Sequence, residues 1–155
     1  MVVRVSEKRW EVCLSGHLHR GIYGGAGLLL RYTPSCGEPL FLLAERLRSP
    51  GVRVWGTPVG VMKRTEAPEM AARRGAAAEI SPLPRYRVIG VDSEDCGGGW
   101  QFHVVSADVS RLFTAHAVRE TCRTGWFTIG QMSTLPLASE FRNWVDERIA
   151  PLRSR

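Results

Sequence analysis

Long apolar runs, lysine and paired cysteines are all scarce in this sequence. No stretch of about 18 uncharged apolar residues occurs, so we expect no transmembrane helix and no membrane partner. The longest apolar stretch near the start, residues 26–30, is too short for a signal-peptide core, and we expect a cytoplasmic location. The cysteines are isolated, without CxxC pairs or histidines at zinc-ligand spacing, which favours four reduced thiols.

The basic charge of the chain is almost wholly arginine. Lysine occurs only at Lys8 and Lys63, although the net charge is +6. Arginine suits bidentate contacts with phosphate or carboxylate groups. A nucleic-acid-binding surface typically concentrates its arginines among aromatic residues, whereas here they are spread along the whole chain. We therefore expect no nucleic-acid partner.

The length of 155 residues and the 44% hydrophobic content indicate one globular domain covering residues 1–155. Residues 1–20 are interpreted as an N-terminal extension. The strands that the patterns predict are residues 26–32, 40–44, 59–62, 86–91, 100–109 and 125–129, with a basic loop at 46–56. The predicted helices are residues 66–80, with Pro68 in the first turn, and an amphipathic closing helix at 139–152. This mixture predicts an α/β domain.

Residues 60–79 carry the most informative spacing. Gly60 is followed after five residues by Glu66, Arg74 lies eight residues beyond Glu66, and Glu79 lies five beyond Arg74. A Trp-Gly-x-Pro sequence at 55–58 precedes them. This arrangement resembles the Nudix box, which reads Gly, five residues, Glu, seven residues, then Arg-Glu-aliphatic-any-Glu-Glu-any-Gly. Weaker similarity covers most of the chain, and the resemblance implies a Nudix-type α/β/α sandwich with a mixed central sheet.

The departures from the box bear directly on metal binding. Gly75 and Ala78 stand where the family has glutamates, and Glu79 is the last of its three metal-facing acids. The resemblance implies that these acids hold Mg²⁺ or Mn²⁺, which neutralises a pyrophosphate and helps to generate the attacking hydroxide. Residues 75, 78 and 79 share one helix face, so we expect a single eroded metal patch and weak or absent Mg²⁺ binding. Replacing Gly75 and Ala78 by glutamate is expected to rebuild the patch, and the loss of Gly75 to stabilise the helix.

The site residues follow from the same resemblance. Glu79 is the candidate metal ligand and, with the outlying acid Glu120, the candidate catalytic pair. The positions interpreted as structural parts of the box are Gly60, Glu66 and Arg74. The basic residues expected to flank the cleft and to bind a phosphate-bearing substrate are Arg46, Arg53 and Arg64, with Lys63 beside them.

Four functions remain open at this point. The chain is interpreted first as a Nudix-fold protein with an eroded metal site that binds a phosphate-bearing or other small ligand, with weak, lost or repurposed hydrolase activity. The second hypothesis is a working Mg²⁺-dependent hydrolase of a nucleoside diphosphate linked to another group, with rearranged metal ligands. The others are a non-hydrolytic enzyme in the same cleft and a structural or interaction protein, with a homodimer open. The residues whose roles the spacing leaves undetermined are His17, His19, His103, His116 and Cys122.

Overall fold

The computed structural model describes residues 10–12, 18–49, 51–96, 99–119 and 121–153. The strands are β1 (Trp10–Val12), β2 (Leu18–Arg20), β3 (Gly25–Tyr32), β4 (Leu40–Ser49), β5 (Val52–Gly56), β6 (Val59–Val61), β7 (Ile80–Ser81), β8 (Arg87–Asp95), β9 (Gln101–Asp108), β10 (His116–Ala117) and β11 (Thr121–Phe127). The helices are α1 (Pro68–Glu79), α2 (Ile129–Met132) and α3 (Ser139–Arg153). No helix within these ranges is long and apolar enough to cross a membrane.

A mixed seven-stranded sheet dominates the described part of the chain. Its main order is β11-β4-β3-β9-β8, with β5 paired to β4 and β6 paired to β3. Strands β3 and β9 run parallel, whereas the other pairs in this sheet are antiparallel. Strands β1 and β2 form a separate antiparallel pair. The α/β class and the mixed sheet predicted above are confirmed.

Alternating side chains of the sheet build two cores on its opposite faces. Leu28 and Leu30 of β3 pack with the alanines of α1, whereas Leu29 between them packs with Phe141 and Trp144 of α3. Each core is made of buried apolar side chains, so burial holds one helix against each face. This three-layer arrangement is the α/β/α sandwich that the resemblance implies.

Helix α1 lies close to its predicted bounds. It begins at Pro68 after the extended residue Ala67, and Glu69 stands in its first turn near the positive end of the helix dipole. It ends at Glu79, because Ile80 is already extended and enters β7. The helix packs on β3 and β6, which are both strands of the main sheet.

The prediction of a basic loop at residues 46–56 is wrong. Most of these residues belong to β4 and β5, whose antiparallel pairing runs from Ala44 opposite Gly56 to Ser49 opposite Val52. The loop prediction rests on Pro50 and Gly51 within a basic segment. Backbone hydrogen bonding to neighbouring strands, which side-chain polarity does not report, decides its conformation.

Strands β3 and β4 pair only where they meet at the turn between them, and this divergence shapes the site. They are opposite each other at Arg31 with Phe41 and at Tyr32 with Leu40. Farther along, β5 takes the edge of β4 and β6 takes the edge of β3. The other edge of β5 binds residues 136–138, since the amide of Trp55 donates to the carbonyl of Pro136 and the amide of Ala138 donates to Trp55. The start of α3 is thereby held beside β4 and β5.

Candidate functional site

Two glycines bring α1 directly against β6. A β-carbon placed on Gly75 would overlap the amide of Gly60 and lie 2.5 Å from the carbonyl oxygen of Val59. A β-carbon on Gly60 would likewise lie 2.7 Å from the carbonyl carbon of Ala71 in the helix. The atoms in the way are backbone atoms, so the close approach requires glycine at both positions.

The same contact corrects the expectation of one metal-facing patch. Gly75 is buried beneath β6, whereas Ala78 and Glu79 are half-buried at the end of the helix. The expectation that a glutamate at residue 75 would rebuild the metal-facing patch is therefore wrong, because its β-carbon has no room against β6. A glutamate introduced there would push the helix off β6, and the expected gain in helix stability does not follow.

Glu66 and Arg74 fasten the loop before α1 to the helix. The Arg74 guanidinium donates to Glu66 through Nη2 at 2.7 Å and through Nε at 3.3 Å, and Nη2 also reaches the carbonyl of Val61 at 2.7 Å. The amide of Lys63 donates to Glu66 at 3.1 Å. These hydrogen bonds, led by the one from Arg74, lower the pKa of Glu66 below its ordinary value. The structure thus joins the two polar positions of the box.

Arg46 stands between the last acid of the box and the start of α3. Its Nη1 lies 3.8 Å from Oε1 of Glu79, and its Nη2 donates to Oε1 of Glu140 at 3.2 Å. The side chains of Arg46, Glu79 and Glu140 are 20%, 21% and 9% exposed. This partly buried triad lies where β4, the end of α1 and residues 136–140 meet.

The described residues do not fit the metal cluster that the family implies. Two of the three box acids are missing, and the remaining one, Glu79, has a guanidinium within 4.0 Å. Among the residues that the structure describes, no group of three or more His, Cys, Asp or Glu could hold a metal ion. A positive guanidinium beside Glu79 also repels a divalent cation there.

The other two arginines expected to bind substrate do not join Arg46. Arg53 lies 3.8 Å from Glu45 and is 59% exposed. Glu45 precedes Arg46 on β4 and therefore faces the opposite side of the sheet. Glu45 is itself held by Arg123, at 3.0 and 3.2 Å, whose guanidinium also lies over the Trp55 ring. Arg64 lies exposed in the loop between β6 and α1.

The remaining candidates are distributed over separate elements. Glu120 and His17 lie outside the described residues, and of His19 only the backbone in β2 is described. His116 and Cys122 are exposed on β10 and β11. His103 is buried on β9, with its Nδ1 at 2.6 Å from the Ser93 hydroxyl, and burial lowers its pKa although Glu69 acts in the opposite direction.

Glu140 is the site residue that sequence reasoning missed. It follows the first residue of α3, where an acid is usually explained by the helix dipole. Its contact with Arg46 spans 94 positions of sequence, so no local spacing reports it. The pairing of β5 with residues 136–138 brings Glu140 to Arg46, and no sequence motif marks that pairing.

An open groove lies on the same face of the sheet as α1. It has a volume of about 380 Å³ and lies between residues 112–115 and Thr124 to Trp126 of β11. The Trp126 indole donates to the carbonyl of Phe113 at 2.9 Å, and the two rings meet edge to face. Thr124 is opposite Ala44, which lies two residues before Arg46 on β4. Ala44 and Arg46 are about 7 Å apart along β4, and neither Arg46 nor its two acidic partners line the groove.

Comparison with known proteins agrees with this architecture. A Mycobacterium tuberculosis protein named "Putative 8-oxo-dGTP diphosphatase 3" is 34% identical over 157 aligned positions, which cover 96% of this chain and 72% of that protein. The crystal structure of a Nudix hydrolase from M. smegmatis matches with a TM-score of 0.77 and 28% identity over 94% of both chains.

More distant structures share the fold. A C. elegans Ap4A hydrolase matches with a TM-score of 0.64 and 16% identity, over 84% of this chain and 99% of that one. The Nudix domain of Shewanella oneidensis NrtR, solved with ADP ribose, matches with a TM-score of 0.58 and 15% identity, over 86% of this chain and 90% of that one. No sequence-family profile matches the chain. On the strength of its mycobacterial relatives, the chain belongs to the Nudix hydrolase superfamily.

Proposed function

We propose that the cleft beside Glu79 binds a phosphate-bearing small molecule, and that metal-dependent hydrolysis there is weak, lost or repurposed. The observation that carries the proposal is the Arg46 guanidinium between Glu79 and Glu140. In this arrangement the cation nearest to the remaining box acid belongs to the protein. Arg46 offsets part of the negative charge of Glu79 and Glu140, and two of the three box acids that would gather metal ions are missing.

The chemistry of arginine supports a phosphate ligand. A guanidinium carries five N–H donors, so Arg46 can contact a phosphate oxygen while it keeps a carboxylate partner. Lys63 and Arg64 are exposed in the loop that precedes α1 and add positive potential on that side of the helix. Arg53 faces the other side of the sheet beside Glu45 and is therefore not part of the proposed ligand site.

The neighbouring groove supports a ligand that also has a planar part. Its volume of about 380 Å³ lies within the range of small-molecule sites, and the rings of Phe113 and Trp126 offer aromatic surface. In this proposal a phosphate contacts Arg46 and a planar ring lies in the groove. Nucleotides combine these two groups, and the names of the relatives include 8-oxo-dGTP, Ap4A and ADP ribose.

These three compounds make the first test. Binding is measured by calorimetry in EDTA, and turnover is followed by chromatography with Mg²⁺ or Mn²⁺. We expect at least one compound to bind without metal and to be hydrolysed slowly or not at all. Metal-dependent turnover of about 1–10³ s⁻¹, as in ordinary enzymes, would contradict the proposal.

A second candidate is a working Mg²⁺-dependent hydrolase of a nucleoside diphosphate linked to another group. The names of the relatives favour it, because they are diphosphatases and hydrolases. It requires other residues to replace the metal-binding glutamates that are missing at positions 75 and 78. Glu120 is the candidate from the sequence. In this case Glu120→Gln and Glu79→Gln would each abolish metal-dependent turnover.

A further inference from the structure

The triad of Arg46, Glu79 and Glu140 joins three elements that are distant in sequence. Arg46 is on β4, Glu79 ends α1, and Glu140 is in the first turn of α3. One guanidinium reaches both carboxylates, at 3.8 Å and 3.2 Å, and all three side chains are at least three-quarters buried. The two acids therefore share one cation.

Two partly buried carboxylates that contact the same guanidinium are stabilised by its positive charge. Without it, each would disfavour the ionised form of the other, and burial would add to that cost. A divalent ion and a guanidinium can both supply this charge, but they cannot both lie beside Glu79 without strong repulsion. In this chain Arg46 of β4 supplies the positive charge, so the two carboxylates need no metal ion from solution.

The contact between α1 and β6 is an independent reason why the family's metal cluster does not fit this site. Gly75, the first of the missing acids, has no room for a β-carbon against Gly60 and Val59. The contact of the helix with β6 therefore leaves no space for a carboxylate side chain at this position. The loss of acids and the presence of Arg46 are consistent changes at the same end of the cleft.

We infer that Arg46 is the resident cation of this cleft and takes the electrostatic place of a divalent ion beside Glu79. The inference rests on the proposed function only in treating this cleft as the ligand site, and it concerns metal binding in the absence of any nucleotide. It assigns Arg46 a role that follows from its two acidic partners. Arg53, the nearby arginine on the opposite face, has no such role.

The test is a titration with Mn²⁺ alone, followed by calorimetry and by the electron paramagnetic resonance of the free ion. The variants are Arg46→Gln, which keeps polar contacts but removes the charge, and Arg53→Gln as the matched control. A double variant, Arg46→Gln with Glu79→Gln, reports whether any new binding uses Glu79. Circular dichroism establishes that each variant is folded.

We expect wild type and Arg53→Gln to bind Mn²⁺ weakly. Arg46→Gln should bind at least about tenfold more tightly, because a repelling charge near the acids is gone. The double variant should lose that gain. An unchanged affinity in folded Arg46→Gln would overturn the inference, as would tight Mn²⁺ binding by wild type.

If Arg46→Gln does not fold, Glu79→Gln decides the question in the presence of the native arginine. The inference then predicts equal, weak Mn²⁺ binding by wild type and Glu79→Gln. Wild-type binding that disappears in Glu79→Gln would show a metal already present at Glu79, and would overturn it. Because no nucleotide is used, either result is separate from failure of the ligand proposal.

Discussion

Gly60 of β6 and Gly75 of α1 lie so close together that neither has room for a β-carbon. Each would meet backbone atoms of the opposite element. Glycine inside a helix normally costs about 1 kcal/mol relative to alanine. At residue 75 that cost is offset by the packing of the helix on β6, which any larger residue would prevent.

We expect Gly75→Ala to destabilise the protein by about 1–3 kcal/mol, the usual range for overpacking. Helix propensity alone predicts the opposite sign, a gain of about 1 kcal/mol. Urea unfolding of the variant decides between them. Ala77→Gly, at an exposed position of the same helix, is the control and should lose about 1 kcal/mol. A stabilised Gly75→Ala would contradict the described contact.

The hydrogen bonds to Glu66 predict a pH dependence. The pKa of Glu66 is lowered from 4.5, first by Arg74 and also by the Lys63 amide. A carboxylate with a lowered pKa in the folded state stabilises the protein fully above its unfolded pKa. That contribution is lost as the pH falls through the folded pKa.

Unfolding free energies of wild type and Glu66→Gln, measured from neutral pH downward, test this. We expect the difference between them to be constant above about pH 5 and to shrink below it. Asp108→Asn is the control, because its carboxylate pairs with Arg31 elsewhere in the sheet. When Asp108→Asn is present in both proteins, the difference in unfolding free energy caused by Glu66→Gln should keep the same pH dependence. A difference between wild type and Glu66→Gln that does not vary with pH would contradict the prediction.

His103 predicts a second pH dependence, at higher pH. Burial lowers its pKa from 6.5 in the folded protein, so the unfolded chain binds this proton more readily. The free energy of unfolding should therefore fall as the pH decreases below about 6.5, until the folded pKa is reached. In His103→Gln this part of the slope should be absent. Equal slopes in wild type and variant between neutral and mildly acidic pH would refute the prediction.

Arg46 on β4 and Arg53 on β5 should differ in their contributions to ligand affinity. We expect Arg46→Gln to weaken binding of the compound selected in EDTA by about tenfold or more, because a charge-assisted contact with phosphate is lost. Arg53→Gln should leave the affinity unchanged, since Arg53 faces Glu45 on the other side of the sheet. Calorimetry with both variants is the measurement. If Arg53→Gln weakened binding more than Arg46→Gln, the ligand would lie on the Glu45 face of the sheet and the proposed site would be wrong.

Local spacing predicted the parts of the site that are close in sequence. Glu66 and Arg74 are eight residues apart, and the structure joins their side chains through two hydrogen bonds. Helix α1 and its start at Pro68 followed from residue preferences that act within one turn. The strand predicted at residues 100–109 corresponds to β9, in which Phe102 and Val104 pack in one core.

Contacts between distant elements could not be predicted in this way. Arg46 and Glu140 meet because residues 136–138 pair with β5, and nothing in either segment signals that pairing. Gly75 looked like a defect of the helix because its partner, Gly60, belongs to a strand packed across it. Residues 46–56 looked like a loop because their strand pairing is carried by the backbone.

The affinity of the wild-type protein for Mg²⁺ reports most directly whether a metal cluster persists beside Glu79. Calorimetric titration of Mg²⁺ into the wild-type protein, without nucleotide, measures both affinity and the number of ions bound. With Gly75 and Ala78 in place of acids and Arg46 beside Glu79, we predict binding no tighter than the millimolar range. Tight binding of two or three ions would contradict the account, and would mean that other residues have replaced the missing glutamates.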